Sequence, residues 1–290
     1  MARKGPGPRQ PLSQRRPKVT ATRKSSLPNA KPAPGPRKAA VPRAPVAKGA
    51  TAPAKQPKRP TSRGARRPKV TTKPPAPTDV VYDRLLAAYP SAHCELDFQS
   101  PFQLVIATIL SAQCTDKRVN MVTPHLFATY PTPEALAAAK QKDVEEIIKS
   151  TGFFRNKAKS IIGMAGALVD RHNGAVPSTM DDLVHLPGVG RKTANVVLGN
   201  AFDINEGVVV DTHVARVAAR LGLTTETDPI KIEQQLMHLF PRERWTMLAH
   251  LLIWHGRRIC EAKKPKCAEC VLNDVCPSAF LGLLPSTASR

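Results

Sequence analysis

Lys192 and Asp211 carry the side chains best suited to chemistry in this chain. They lie nineteen positions apart in the stretch LPGVGRKTANVVLGNAFDINEGVVVDTH, from Leu186 to His213. A neutral lysine amine is a nucleophile, and an ionised carboxylate steadies a positive charge developing on a neighbouring sugar. Further on, Cys260, Cys267, Cys270 and Cys276 follow the pattern C-x6-C-x2-C-x5-C, close enough for four thiolates to meet at one metal centre. That donor set suits zinc as well as an iron-sulfur cluster, and free buried cysteines are a third reading.

Leu186-Pro187-Gly188-Val189-Gly190 reads as a hairpin, because Pro187 fixes one φ angle and the glycines permit conformations closed to other residues. At the start of the helix that follows, free backbone N–H groups and the helix dipole favour a phosphate; an ordinary helix connection is the plainer reading. Arg191 and Lys192 tilt the balance, since cations in a first turn oppose the dipole. Lys192 is there either to bind phosphate or to act as a nucleophile, the neutral amine being favoured by the neighbouring cation and the helix N-terminus. Asp211 reads as the N-cap of the next helix, a role that keeps it ionised and is compatible with chemistry.

Positioning these side chains falls to helices. Apolar spacing predicts one over 79–89, and Ser100-Pro101-Phe102-Gln103 has the form of a capping box opening a helix to Leu110. Others are predicted at about 118–129, 133–139, 143–150 and 155–171, with a second capping box at Ser178 to Asp181. Ala194, Val197, Leu198 and Ala201 form the apolar stripe of the helix after the hairpin. Val214, Val217, Ala218 and Leu221 form that of the helix after Asp211, stopped by Gly222. Two more helices fit 228–240 and 241–259, and Val208 to Val210 is the one run that reads as extended. The fold class is all-α.

Composition divides the chain near Thr78. Residues 1–78 hold 21 Lys and Arg, no acidic or aromatic residue and 17 of the 29 prolines. Of the formal charge of +22, +21 lies on this segment, against 23 basic and 22 acidic residues downstream. Such a segment cannot bury enough apolar surface to offset its ordering entropy, so it is expected to be disordered. It is further expected to bind nucleic acid without reading sequence, an inert solubilising tail being the alternative. Its prolines spoil the amphipathic helix of a transit peptide, and no apolar run suggests a secretory signal or a membrane span. A soluble, intracellular protein is expected, in which clustered cysteines favour metal over disulfides. Cys94 and Cys114 stand apart.

Taken together, LPGVGRKTANVV, VDTH and the cysteine quartet resemble the endonuclease III family of DNA glycosylases, over about residues 79–278. The resemblance implies a two-lobed helix-hairpin-helix fold. A six-helix lobe would span 99–204, and a second lobe would join 79–98 to 205–280, leaving 281–290 as a short tail. It implies that Lys192 displaces a damaged base and forms a Schiff base with C1′ of the deoxyribose, aided by Asp211, and that β-elimination then cleaves the strand. Oxidised pyrimidines in damaged double-stranded DNA are the implied substrates. Leu186, Gly188, Gly190 and Arg191 would contact DNA through the hairpin, Gln113 would fill the gap left by the flipped nucleotide, and Phe153 would act as a wedge. From the residues alone Phe153 reads as core, and His213 as an ordinary first-turn residue. The quartet is implied to hold a 4Fe-4S cluster, with Arg257, Arg258, Lys263, Lys264 and Lys266 around it to grip phosphates. A monomer acting on nucleoid DNA in a bacterial cytoplasm is expected. The Lys192 to Asp211 interval is one residue longer than the family pattern, the addition falling within 203–207. Two alternatives are a mismatch-adenine glycosylase, which Lys192 and the 14 residues after Cys276 argue against, and a non-catalytic DNA-binding protein.

Overall fold

The structure, a computed structural model, describes residues 73–281. The expectations for residues 1–72 and 282–290 lie outside the described residues. Part of the predicted tail lies inside them: Ala76 is buried and its N–H donates to the Leu221 carbonyl (2.9 Å), so the folded region begins before Thr78.

The described residues form eleven α-helices and short 3-10 turns, with no strand among them. In order these are α1 (Thr78–Ala88), α2 (Pro101–Leu110), α3 (Asp116–Thr129), α4 (Pro133–Ala137), α5 (Gln141–Ile148) and α6 (Phe154–His172). After them come α7 (Met180–Val184), α8 (Arg191–Ala201), α9 (Thr212–Leu221), α10 (Pro229–Leu239) and α11 (Trp245–Arg258). Val208 to Val210 is irregular chain with Val208 and Val210 buried.

Side-chain caps set most helix starts, with two departures from the predicted capping boxes. Ser100 Oγ accepts from the Gln103 N–H (3.3 Å), but the Gln103 side chain turns to the Gln99 N–H (2.8 Å) and not to Ser100, so half of the box forms. The second box sits one residue later than predicted: Thr179, not Ser178, caps α7, accepting from the Asp182 N–H (3.2 Å). The predicted 241–259 helix starts at Trp245, because residues 242–244 first make a 3-10 turn.

Two apolar cores result. One joins α2 to α8 through residues such as Leu104, Ile106, Leu110, Ile161, Met164 and Leu198. The other joins α1 to α9, α10 and α11 through Leu85, Val214, Val217, Leu248 and Leu252. α8 touches both, since it packs on α2 and on α11. No helix among the described residues is long and apolar enough to cross a membrane.

Candidate active site

The hairpin between α7 and α8 is held from beneath. Leu186 is 2 % exposed, its N–H donating to the Leu183 carbonyl and its own carbonyl accepting from the Val189 N–H. Its side chain anchors the hairpin in the core, so a contact between Leu186 and DNA would have to be made by the main chain. Gly188 has φ +79, and a Cβ there would come within 2.7 Å of the Ser160 side chain on α6, so conformation and packing both demand glycine. Gly190 differs from expectation: its φ of −100 is open to any residue, and a Cβ would meet nothing within 4 Å. Glycine at 190 therefore leaves open space outside the protein. Gly190 caps α8 without a side-chain hydrogen bond, so the first N–H groups of that helix face this space.

Arg191 and Lys192 follow on the exposed side of α8. Arg191 is partly committed, because its Nε donates to both oxygens of the buried Glu233 on α10 (3.0 and 3.1 Å), which also accepts from Asn195 Nδ2 (2.8 Å). Gly207 admits this triad, since a Cβ there would lie 2.1 Å from Glu233 Oε1. Among the described residues Lys192 makes no ion pair. Asp211 is the N-cap of α9: its Oδ1 accepts from the His213 and Val214 N–H groups, both at 2.8 Å, leaving Oδ2 outside the cap.

Lys192 and Asp211 line one cleft of about 410 Å³, together with Gln113, His213, His250 and Arg257. Its walls come from both cores. Within the interval between the two residues, 203–207 is pinned by Asn205, whose Oδ1 accepts from the Thr246 N–H (2.9 Å) and hydroxyl (2.6 Å). His213 stands in the first turn of α9, with Nδ1 3.1 Å from Arg216 Nη2. Half-buried Cys94 and Cys114 also line the cleft, and burial pushes the Cys94 thiol up.

Gln113 and Phe153 occupy exposed loops, both in the left-handed region (φ 54 and 47). Phe153 is 66 % exposed, so the core reading of this residue is wrong.

Other cleft residues had no signal in the sequence. Arg257 and Arg258, expected beside the cysteines, turn instead to acids: Arg257 pairs with Glu95 and with Asp116 (2.8 Å), and Arg258 with Glu95 (2.9 Å). Burial opposes ionisation of Glu95, but the two guanidinium groups hold its carboxyl below the usual carboxylate range. His250 Nε2 donates to Asn200 Oδ1 (2.8 Å), and burial, with His93 adding to it, brings its pKa down to about 4. Glu95, Asp116 and His250 lie on separate elements, and their meeting is tertiary. Lys266 pairs with Glu261 (3.2 Å), which leaves Lys263 and Lys264 exposed at the cysteine loop.

Cys260, Cys267, Cys270 and Cys276 surround a separate hollow of about 400 Å³. Arg220 of α9 fixes its rim, donating to the carbonyls of Glu261 (2.7 Å) and Ala262 (2.8 Å) and to Cys260 Sγ (3.2 Å). Burial, reinforced by the other three cysteines, pushes the Cys270 thiol up to about 11. Among the described residues no three His, Cys, Asp or Glu side chains are grouped as they would be around a single metal ion.

Residues 106–242 match the family described as HhH-GPD superfamily base excision DNA repair protein. Endonuclease III of Synechocystis is 57 % identical over 191 residues, which cover 66 % of this chain and 87 % of that protein. The chain belongs to the endonuclease III family. Endonuclease III of Bacillus subtilis is 46 % identical, covering 67 % of this chain and 89 % of its own length. A solved structure described as a trapped endonuclease III–DNA covalent intermediate, the estranged-adenine complex, superposes with a TM-score of 0.68 at 42 % identity, covering 71 % of this chain and 97 % of that one. The endonuclease III fold here is thus the all-helical helix-hairpin-helix arrangement, with its hairpin directly before Lys192.

Proposed function

We propose that this protein is a bifunctional DNA glycosylase and abasic-site lyase that excises oxidised pyrimidines from duplex DNA in a bacterial cell. The observation that carries the reading is that Lys192 and Asp211, from different helices and different cores, line one cleft. In this scheme the Lys192 Nζ lone pair forms a bond to C1′ as the bond from C1′ to the base breaks, and the base leaves with that electron pair. Asp211 Oδ2, free of the cap, faces the positive charge developing on the sugar. Transfer of an Nζ proton to O4′ opens the ring and gives a Schiff base. Solvent water then takes a C2′ proton, the electron pair of that C–H bond expels the 3′ phosphate, and addition of water to the imine carbon releases the lysine amine.

Gly190 and the free N–H groups of α8 would hold a phosphate, with the remaining N–H groups of Arg191 beside it. Gln113 would enter the gap left by the extruded nucleotide and Phe153 would wedge the stack, as their exposure allows. Extruding a base costs a few kcal/mol, least where pairing is already damaged. The acid–arginine cluster and His250 at the cleft wall offer donors and acceptors to its edge.

The four cysteines fit a 4Fe-4S cluster. They offer four thiolates around one hollow, in the C-x6-C-x2-C-x5-C spacing that the family resemblance ties to such a cluster. Such a cluster would supply a rigid support for the loop that carries Lys263 and Lys264. The bond-breaking steps above involve only Lys192 and Asp211.

Excision from duplexes carrying a single oxidised pyrimidine tests the function against its nearest alternative. Removal of the oxidised pyrimidine followed by strand cleavage is expected. Preference for a mispaired adenine, or binding without excision, would overturn it.

A further inference from the structure

Lys157, near the start of α6, is 5 % exposed and yet points its ammonium at two main-chain carbonyls. Its Nζ donates to the Leu110 carbonyl at 2.8 Å and to the Thr151 carbonyl at 2.8 Å. Among the described residues no carboxylate pairs with it. Burial lowers its pKa, an effect that nearby Cys114 opposes. A buried cation without an acid is costly to keep, and that cost is set against two main-chain carbonyls to which it donates.

What the two carbonyls share is their position. Leu110 is the last residue of α2, and the loop leaving it carries Gln113. The N–H of Cys114, which would continue the helical ladder to Leu110, donates instead to the Ser111 carbonyl (3.0 Å), so the Leu110 carbonyl is one of the orphans of a helix end. Thr151 ends the 3-10 turn after α5 and directly precedes Gly152 and Phe153. One ammonium thus ties together the roots of two loops 47 and 6 residues away from it along the chain. At the tip of each loop is an exposed non-glycine residue in the left-handed region, Gln113 (φ 54) and Phe153 (φ 47), conformations that need surrounding structure to hold them.

We propose that Lys157 is a positioning residue that couples these loops, so that Gln113 and Phe153 enter the duplex as one rigid unit. The proposal rests on the reading that both residues contact DNA. A wedge and a plug fixed at one separation unstack and fill in a single concerted step, whereas two free loops each bear their own ordering cost.

A double-mutant cycle tests it. Single-turnover excision from lesion duplex is measured for Q113A, F153A and the double variant, each with Lys157 present and with K157M. With Lys157 present the double variant is expected to lose little more than the worse single variant. K157M alone is expected to lose about tenfold, and in its background the two losses should multiply. Melting curves establish folding; if K157M does not fold, the cycle with Lys157 present still decides, because losses of Q113A and F153A that multiply there would overturn the proposal. The same coupling in both backgrounds, or excision by folded K157M at the unaltered rate, would overturn the proposal. If Q113A and F153A each excise normally with Lys157 present, the reading of the loops as DNA contacts fails, and the proposal with it.

Discussion

Asp211 does two things with one carboxylate. Oδ1 holds the start of α9 through two N–H groups, and Oδ2 is left for the cleft. The two roles separate under substitution, because asparagine caps a helix about as well as aspartate but carries no charge. Asp211→Asn is therefore expected to melt within a few degrees of the parent and to excise about a hundredfold more slowly, the scale of losing one aimed charge at a transition state. Comparable losses of melting temperature and rate would mean that only the cap matters. Single residues were legible in uneven degree. The misplaced cations Arg191 and Lys192 and the N-cap at Asp211 follow from helix electrostatics and could be read directly. Phe153, read from the residues alone as core, is exposed, because apolarity alone does not say which way a loop residue turns. Gly190 was read as a strained turn position, and the space around it, not its backbone, explains the glycine.

At the scale of elements, α9 is the beam between the two special regions. Its first turn is capped by Asp211, and its last turn sends Arg220 into the rim of the cysteine hollow, so the orientation of the carboxylate and the shape of that loop are fixed by the same ten residues. The apolar stripe of α9 made the helix predictable; its arginine contacts, about forty residues away in sequence, left no local trace. α11 shows the same division. Its helical period was readable, but its conversion of Arg257 and His250 into cleft residues depends on Glu95, Asp116 and Asn200 arriving from elsewhere. His250 carries a measurable consequence. Its pKa in the fold is about 4 against an ordinary 6.5, so between these values the unfolded chain binds a proton that the native chain does not. Stability is thus full above about pH 6.5 and falls as pH is lowered towards 4, by about 3 kcal/mol in all from this one group. Urea unfolding across that range is expected to show a shallower acid loss for His250→Gln, which keeps a donor for Asn200. An identical slope would place the buried proton uptake elsewhere.

For the whole molecule, the charge of +22 is misleading, because the region downstream of Thr78 is nearly neutral and 20 of the Lys and Arg residues lie in residues 1–72. Deleting residues 1–72, and not 1–78, spares Ala76 and its contact with Leu221. The deletion is expected to leave excision intact at low salt and to flatten the dependence of DNA affinity on salt, since each neutralised phosphate adds roughly 0.9 to that slope. An unchanged slope would make the segment inert towards DNA. The division into two cores with a cleft between them was implied by family resemblance and is not contained in any local pattern, since α8 looks like any amphipathic helix until both its neighbours are known. What unites the molecule is the claim that this cleft puts Lys192 against a sugar carbon. Borohydride reduction in the presence of duplex containing an abasic site measures that claim most directly. A covalent protein–DNA adduct that disappears in Lys192→Ala is expected; no adduct with the parent, or an undiminished one with the variant, would contradict a Schiff base at Lys192.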